Sequence, residues 1–349
     1  MAHYLDSFPE HHISIHNKTY IYFGGTAYLG LQTDVDFQNI FIENIRKYGT
    51  NYGASRKSNI RMAVYDEAET YLSKLVGSEA CISMSSGYLA GQLVAHGLNT
   101  NNHAFFYAPN THSALRLSSN KSQSFSTYED LKEALHLHLK LKTDETPVVF
   151  LDAVDFSGSH FPDFEGLKTL PLSELILVVD DSHGIGILGE RGGGIYKTIK
   201  DLNPKELIVC ASLGKGFGVQ AGAIFGCKSR ISSLENTAFF GGSSPASPAN
   251  LATLLHSEGI YNIKRKQLKD NTDFFIDNLN LLDKFQYMIG HPAFSFSDEH
   301  LNNHLESNGI IVTSFRYPDE NSPMMSRIVI SASHTETDIL RLCEVLNNA

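Results

Sequence analysis

Six short runs of apolar residues in the first two thirds of the chain constrain its fold more than any other feature. Runs of this length with few polar residues are typical of strands that are buried on both faces. Amphipathic segments of helical length, such as 64–77 and 128–140, lie before and between the runs. This alternation favours an α/β fold with a mostly parallel sheet. The predicted strands are 79–84, 103–109, 147–153, 175–180, 206–212 and 221–226.

The pattern changes near residue 250, where a long helical stretch, 247–281, leads into a smaller α+β region. That region closes with a predicted helix over 335–348, for which Thr335 is the expected N-cap. A chain of 349 residues is also longer than one hydrophobic core usually supports. We therefore predict three parts: an N-terminal segment (1–40), a large α/β domain (41–250) and a smaller C-terminal α+β domain (251–349).

The composition narrows the range of partners. A formal net charge of −10 argues against nucleic acid as the main partner, because the phosphate backbone binds basic surfaces. The cysteines form no CxxC pair and no Cys/His group with zinc spacing, so we expect reduced thiols and no metal site. The sequence contains neither a signal-peptide pattern nor an apolar run long enough to span a bilayer. We therefore expect a cytoplasmic protein without a membrane partner.

A glycine-rich turn, 214–218, follows the apolar run that ends near Ser212, and Lys215 lies inside it. Glycines let a backbone approach a ligand closely, and a lysine held in a pocket can lose its proton. A neutral amine can form an imine with an aldehyde, while Ser212 could donate to a phosphate. A nucleotide-binding P-loop needs Ser or Thr after its lysine, but Gly216 stands there. The turn therefore indicates an imine-forming lysine.

Two acids, Asp180 and Asp181, end another apolar run, and His183 follows. A carboxylate at a buried strand end requires a cation or hydrogen-bond donors, and a protonated pyridine nitrogen is such a partner. This segment alone leaves open that Asp180 merely caps a turn.

Two further strand ends carry weaker signals. Ser85, Ser86 and Gly87 open a predicted helix, whose N-terminal N–H groups suit a phosphate, although small residues are common at such turns. His112 follows another run and could either stack on a planar cofactor or cap a loop. An imine lysine, a carboxylate for a pyridine nitrogen and a phosphate cup are together what pyridoxal 5'-phosphate (PLP) requires.

At these positions the chain resembles the α-oxoamine synthases, which are fold-type I PLP-dependent transferases. The resemblance runs from about residue 20 to the C-terminus and is densest in AYLGL, SSGY, NTHSAL, VVDDSHGIGILGERGGG, SLGKGFG and SASHTETDI. The family includes 8-amino-7-oxononanoate synthase, 2-amino-3-ketobutyrate CoA ligase and serine palmitoyltransferase. It implies that residues 41–250 bind PLP, that the chain forms a homodimer with a shared active site, and that an amino acid condenses with an acyl thioester.

The resemblance also implies roles for individual catalytic residues. Lys215 matches the lysine that holds the cofactor as a Schiff base, and Asp180 matches the acid that pairs with the pyridine nitrogen. His183 matches the histidine near the phenolic oxygen of the ring, and His112 the histidine stacked on the ring. The cofactor-binding residues implied around the phosphate are Ser86, Gly87, Tyr88, Ser212 and, from the neighbouring subunit, Ser243.

On the substrate side, Arg327 matches the arginine that binds the carboxylate of the amino acid, and Thr26 falls in a second carboxylate-binding segment. Several positions depart from the family pattern. Thr26-Ala27 replaces an Asn-Asp or Asn-Asn pair, Phe156 stands at a serine position, and Gly242 replaces a threonine. Ile60 and Tyr65 replace a common Gly and His.

These observations predict a PLP-dependent C-acyltransferase that joins an amino acid to an acyl group from CoA or an acyl-carrier protein, with decarboxylation expected. They leave open a PLP-dependent aminotransferase or decarboxylase, because fold does not fix the reaction. A non-catalytic relative with a decayed substrate site is a further alternative. The amino acid and the acyl chain are not specified by the sequence.

Overall fold

The computed structural model describes residues 3–117, 122–156, 160–317 and 320–349. The chain divides into two compact units. The large unit comprises Ile40–Asp155 and His160–Ser257, and the small unit comprises Met1–Asn39, Phe156–Ser159 and Glu258–Ala349. The predicted division into three consecutive parts stays a prediction. Among the described residues, no helix combines the length and the hydropathy of a membrane-spanning segment.

The strands are numbered in chain order. They are β1 (His12–Ile15), β2 (Lys18–Phe23), β3 (Ala80–Met84), β4 (His103–Tyr107), β5 (Ser122–Ser124), β6 (Thr146–Asp152), β7 (Ile176–Asp180), β8 (Glu206–Ser212), β9 (Gly222–Gly226), β10 (Gln286–Tyr287), β11 (Ala293–Phe296), β12 (Ile310–Arg316) and β13 (Met324–Val329).

The α-helices are numbered in the same way. They are α1 (Val35–Tyr48), α2 (Ala63–Val76), α3 (Gly87–Leu98), α4 (Tyr128–Lys140), α5 (Glu165–Lys168), α6 (Tyr196–Lys200), α7 (Leu213–Gly216), α8 (Lys228–Glu235), α9 (Ala238–Gly242), α10 (Pro248–His256), α11 (Glu258–Asn278), α12 (Glu299–Ser307) and α13 (Glu336–Asn347).

The large unit is built on a seven-stranded sheet in the order β3-β9-β8-β7-β6-β4-β5. Strands β8, β7, β6, β4 and β5 are parallel to one another, whereas β9 is antiparallel to both of its neighbours. All six predicted strands are present, and the mostly parallel sheet is confirmed. Strand β5 was not predicted, because it is short, polar and at the sheet edge.

Apolar side chains of the central strands and of α3 form the core of the large unit. Val178 and Ile208 are fully buried in neighbouring strands, and Leu93 and Val94 of α3 pack into the same cluster. Burial on both sides explains the near-continuous apolar runs in these strands. The polar residues that end the strands therefore lie on a well-packed base.

The small unit contains a six-stranded sheet in the order β1-β2-β12-β13-β11-β10. Its pairs are antiparallel except for β2 and β12, which are parallel. The closing helix α13 begins at the predicted N-cap. The Thr335 hydroxyl accepts from the Asp338 N–H at 3.2 Å, and the Asp338 carboxylate accepts from the Thr335 N–H at 3.0 Å. This capping box fixes the start of the helix.

The predicted helical stretch 247–281 is helical over most of its length, but it consists of two helices. Helix α10 ends at His256 and α11 begins at Glu258. Between them, Ser257 is buried and its hydroxyl donates to the Thr253 carbonyl at 2.7 Å. A side chain that bonds back to the preceding turn competes with continuation of the helix. Gly259 follows two residues later, but a single glycine inside a helical pattern does not locate a break, so periodicity alone could not place it.

Candidate active site

Three neighbouring parallel strands of the large unit end in polar residues at one edge of the sheet. Asp152 ends β6, Asp180 ends β7 and Ser212 ends β8. Asp152 and Asp180 are direct partners in the strand register, and Asp180 is likewise opposite Cys210. Ligands of open α/β sheets bind beyond such carboxyl ends. The predicted location of the site therefore corresponds to a cluster of chemically reactive groups.

Lys215 lies in the short helix α7, directly after β8, and its Nζ atom is 2.7 Å from Nε2 of His183. Glycines allow this contact. A Cβ atom on Gly216 would lie 2.1 Å from the Ile185 carbonyl oxygen, and one on Gly186 would lie 2.7 Å from Gly216. Gly186 also has a φ of +88°, which side chains disfavour. The two loops thus touch through their backbones, which brings the lysine to the histidine.

Ser182 connects the ends of β7 and β8, and sequence reasoning missed it. Its N–H donates to Asp180 Oδ1 at 2.8 Å, and its hydroxyl accepts from the Ser212 N–H at 2.8 Å. These bonds fix the orientation of the Asp180 carboxylate and the position of Ser212. The only signal was a serine between two residues already identified as candidates.

Asp181, the second acid of the pair, is buried and has a structural role. It is 1% exposed, and its Oδ2 accepts from the Ile195 N–H at 3.0 Å. Burial raises its pKa well above the usual range for an aspartate, which favours the neutral form. Cβ atoms on Gly184 and Gly194 would lie 2.1 Å and 1.9 Å from its carboxylate oxygens. Asp181 therefore holds the glycine-rich loop, and Asp180 is the acid at the sheet edge.

Hydrogen bonds hold both the backbone and the ring of His112. Its N–H donates to Asp152 Oδ1 at 3.0 Å, and its Nδ1 accepts from the Ala114 N–H at 3.1 Å. Burial lowers its pKa, with Lys215 acting in the same direction and Asp180 opposing it. The ring is therefore held neutral. The Ala114 bond is the loop cap that the sequence left open, and it is compatible with stacking on a cofactor.

Asp152 was missed as a site residue, although it ends an apolar strand just as Asp180 does. Burial raises its pKa well above the usual range, and the adjacent charge of Asp180 adds to this effect. Two neighbouring carboxylates cannot both remain ionised at low cost. Asp152 therefore holds its proton while it accepts the hydrogen bond from His112.

The predicted phosphate cup lies at the start of α3. Ser86 is the N-cap, and its side chain accepts from the Leu89 N–H at 3.1 Å. A Cβ atom on Gly87 would lie 2.7 Å from the Cα and Cβ atoms of Ser212. Ser86, Gly87 and Ser212 are thus brought together, whereas Tyr88 is 56% exposed. The Ser243 hydroxyl donates locally, to the Phe239 carbonyl at 2.6 Å.

The residues of the large unit fit PLP. An amine beside a histidine, an oriented carboxylate and a helix N-terminus are placed along one sheet edge. The absent side chain of Gly87 leaves the strand and the helix in direct contact at the phosphate cup. These groups would hold the aldehyde, the ring nitrogen and the phosphate of that cofactor.

In the small unit, Arg327 lies in β13, with its guanidinium carbon 3.5 Å from the ring centre of Phe156. Burial lowers the arginine pKa to about 10. Thr26 lies in the loop after β2 and is half-buried. The structure thus places Phe156, one of the departures from the family pattern, on the predicted substrate-binding arginine.

Tyr65 and Ile60, which also depart from the family pattern, lie away from the candidate site residues in the sequence and have other surroundings. The Tyr65 hydroxyl donates to the Ala246 carbonyl at 2.8 Å, and Arg56 lies over its ring at 4.1 Å. Arg56 also pairs with Glu69 at 2.7 Å. Tyr65 is therefore a packing residue in the large unit. Ile60 is 70% exposed.

Comparison with known proteins identifies the family of this chain. The sequence profile of the aminotransferase class I and II family matches residues 18–346. The chain belongs to this family. An 8-amino-7-oxononanoate synthase from Vibrio campbellii is 27% identical over 346 residues, which cover 95% of this chain and 89% of that protein.

Solved structures show the same fold. A serine palmitoyltransferase from S. paucimobilis with bound PLP-myriocin aldimine has a TM-score of 0.83 at 18% identity, with 99% of this chain and 92% of that one covered. An 8-amino-7-oxononanoate synthase from Francisella tularensis has a TM-score of 0.72 at 21% identity, with 94% and 97% covered. These matches confirm the predicted fold-type I architecture, and the curated relatives agree with the predicted resemblance to the α-oxoamine synthases.

Proposed function

We propose that this chain is a PLP-dependent C-acyltransferase that condenses an amino acid with an acyl thioester and releases carbon dioxide, giving an α-aminoketone. The observation that carries the proposal is the 2.7 Å contact between Lys215 Nζ and His183 Nε2. His183 lies three residues after Asp180 in the sequence. The 8-amino-7-oxononanoate synthase relatives support this reaction type. A cytoplasmic homodimer with CoA or carrier-protein thioesters as acyl donors is part of the proposal.

Lys215 is proposed to hold the cofactor and, once displaced by substrate, to accept the α-proton of the amino acid at Nζ. His183 orients that nitrogen through the hydrogen bond to Nε2. Asp180 is proposed to hold a proton on the ring nitrogen, and the Ser182 N–H keeps its carboxylate oriented. When bound, PLP supplies an electron-accepting ring that stabilises negative charge at the substrate α-carbon.

His112 is proposed to cover one face of the cofactor ring. Its lowered pKa and its bonds to Asp152 and Ala114 support a neutral ring in a fixed orientation. A neutral imidazole adds no positive charge over the ring. The proposed phosphate ligands are Ser86, Gly87, Tyr88, Ser212 and the Ser243 of a second copy of the chain.

Arg327 is proposed to bind the carboxylate of the amino acid, with Thr26 in a supporting role. A guanidinium presents two parallel N–H groups to a carboxylate, which fixes the orientation of the substrate. Burial of Arg327 supports this role, because a partly desolvated cation binds an anion more strongly than an exposed one does.

The deciding variant is Lys215→Ala. We expect it to lose the visible absorbance of the PLP-loaded protein and to lower the reaction rate by about 10²- to 10⁴-fold or more. The matched control is Lys228→Ala, because Lys228 is exposed at the start of α8. Full visible absorbance and full activity in the Lys215 variant would refute the proposal.

Product analysis separates the reactions that this fold supports. Release of thiol that depends on both an amino acid and an acyl-CoA indicates condensation, and carbon dioxide release shows whether decarboxylation accompanies it. A keto acid formed without thioester consumption indicates an aminotransferase. Carbon dioxide formed without thioester consumption indicates a decarboxylase. No spectral response to any amino acid indicates a non-catalytic relative.

A further inference from the structure

In the small unit, an aromatic ring lies on the face of the Arg327 guanidinium. The guanidinium carbon lies 3.5 Å above the centre of the Phe156 ring. All N–H donors of a guanidinium lie in its plane, so an aromatic ring on its face uses none of them. A hydroxyl or a carboxylate at this distance would instead take a donor. Phe156 thus orients and desolvates the cation while it leaves the donors available.

The backbone of Phe156 shows that this placement is specific. Its φ is +56°, a left-handed conformation that is unfavourable for a bulky side chain. The ring also packs edge-to-face with His291 at 5.6 Å, and His291 packs in the same way on Tyr28 at 5.4 Å. Both His291 and Tyr28 are at most 1% exposed. A rigid aromatic group therefore holds the Phe156 ring over the arginine.

A second polar group lies beside the arginine. Arg327 in β13 is directly opposite Ser295 of β11, and directly opposite residues project from the same face of a sheet. The Arg327 Nε and the Ser295 Oγ are both buried, and neither has a hydrogen-bond partner among the described residues. Buried donors without partners are rare in folded proteins. Both are donors, which is the requirement for binding a carboxylate.

We infer that Ser295 adds a second donor to the carboxylate site proposed for Arg327, and that Phe156 is the positioning residue of Arg327. The inference rests on the proposed function. It assigns a donor, Ser295, and a positioning residue, Phe156, which replaces the serine of the family pattern.

The test uses PLP-loaded full-length protein titrated with glycine, L-alanine and L-serine and with the three corresponding carboxamides. The change in visible absorbance and isothermal titration calorimetry both give dissociation constants. For Phe156→Leu we expect the carboxylates to bind about 5- to 30-fold more weakly, as loss of a desolvated cation–π contact implies. The amides should change less than twofold. The Michaelis constant for the amino acid should rise with kcat nearly unchanged.

Phe156→Tyr keeps the aromatic face and should rescue carboxylate binding. Ser295→Ala should weaken carboxylate binding about tenfold, because it removes a hydrogen bond to a charged group. Phe315→Leu is the matched control, because Phe315 is an exposed aromatic of β12 in the same unit. If Phe156→Leu does not fold, Ser295→Ala and Phe156→Tyr decide the question.

Two kinds of failure are distinguishable. If wild-type protein prefers carboxylates over amides and neither Phe156→Leu nor Ser295→Ala alters that preference, the subsite is wrong and the proposed function stands. If no amino acid or amide binds to wild-type protein and Lys215→Ala keeps its visible absorbance, the proposed function itself is wrong.

Discussion

Nζ of Lys215 lies 2.7 Å from Nε2 of His183, although the two residues are 32 positions apart in the sequence. The contact joins the loop after β7 to the loop after β8, which are adjacent strands of the sheet. The histidine therefore holds the amine at the edge of the sheet. The contact therefore has a measurable consequence for cofactor binding.

Replacement of His183 by alanine should weaken PLP binding by about twofold to tenfold, because it removes the hydrogen bond that holds the Lys215 amine in place, and such a bond contributes about 0.5–1.5 kcal/mol. Reconstitution of apo-protein with PLP, followed by visible absorbance, measures the change. His300→Ala is the control, since His300 is exposed in the small unit. An unchanged affinity in His183→Ala would show that the contact does not support the amine.

The two glycines that flank Lys215 should respond differently to substitution. A Cβ atom on Gly216 would lie 2.1 Å from the Ile185 carbonyl oxygen, whereas the nearest atom to a Cβ on Gly214 is 3.6 Å away. Gly216→Ala should therefore destabilise the protein by about 1–3 kcal/mol, as overpacking does, and should impair PLP binding. Gly214→Ala should retain both properties.

Thermal unfolding and PLP titration of the two glycine variants provide the measurement. Each variant is the control for the other, because they differ by two positions in one short helix. Equal effects of the two substitutions would contradict the close contact between the two loops.

The sequence was sufficient for the sheet of the large unit, because its strands are buried on both faces and appear as apolar runs. It was also sufficient for the strand ends, since Asp180 and Ser212 end such runs and Lys215 follows one. Ser182 and Asp152 could not be assigned in the same way. Their roles depend on hydrogen bonds to residues of neighbouring strands or loops, and the register of those strands is not encoded locally.

Other features depend on side-chain contacts that the hydrophobic pattern of the sequence does not predict. The break between α10 and α11 falls at the buried Ser257, whose hydroxyl donates to the Thr253 carbonyl. The position of Phe156 over Arg327 joins residues 171 positions apart, and only a three-dimensional structure reveals it. The sequence identified Phe156 as a departure from the family but gave no reason for it.

Replacement of Asp152 by asparagine should change the pH dependence of stability. Burial and the charge of Asp180 raise the Asp152 pKa, so the folded state keeps a proton that the unfolded chain loses near pH 4. The folded wild-type protein therefore loses stability as pH rises through the interval between these two pKa values. An asparagine side chain at this position has no such proton, and its amide oxygen can still accept from the His112 N–H.

Relative to wild type, Asp152→Asn should therefore become more stable as the pH is raised from 5 to 8. The midpoint of urea unfolding of the apo-protein at each pH measures this difference. Asp201→Asn is the control, because Asp201 is exposed. A difference between variant and wild type that is the same at both pH values would show that Asp152 is ionised in the folded state.

The buried His334 of the small unit should make the protein sensitive to acid. Its Nδ1 accepts from the Ser331 N–H at 2.9 Å, which requires a neutral ring, and its Nε2 lies 3.0 Å from the Tyr22 carbonyl oxygen. The ring also stacks on Phe23, with centroids 4.1 Å apart. Burial lowers its pKa to about 4.

Because the histidine pKa in the unfolded chain is about 6.5, the unfolded state binds one more proton than the folded state between about pH 6.5 and pH 4. Stability is therefore unaffected by His334 above this interval and is lost as the pH falls through it. The loss amounts to about 3 kcal/mol at its lower end. In His334→Asn, the unfolding free energy should fall less steeply with decreasing pH over this interval, because unfolding of the variant takes up one proton fewer. Urea unfolding at several pH values measures the slope, with the exposed His136→Asn as control. Equal slopes for wild type and His334→Asn would mean that His334 takes up its proton without unfolding.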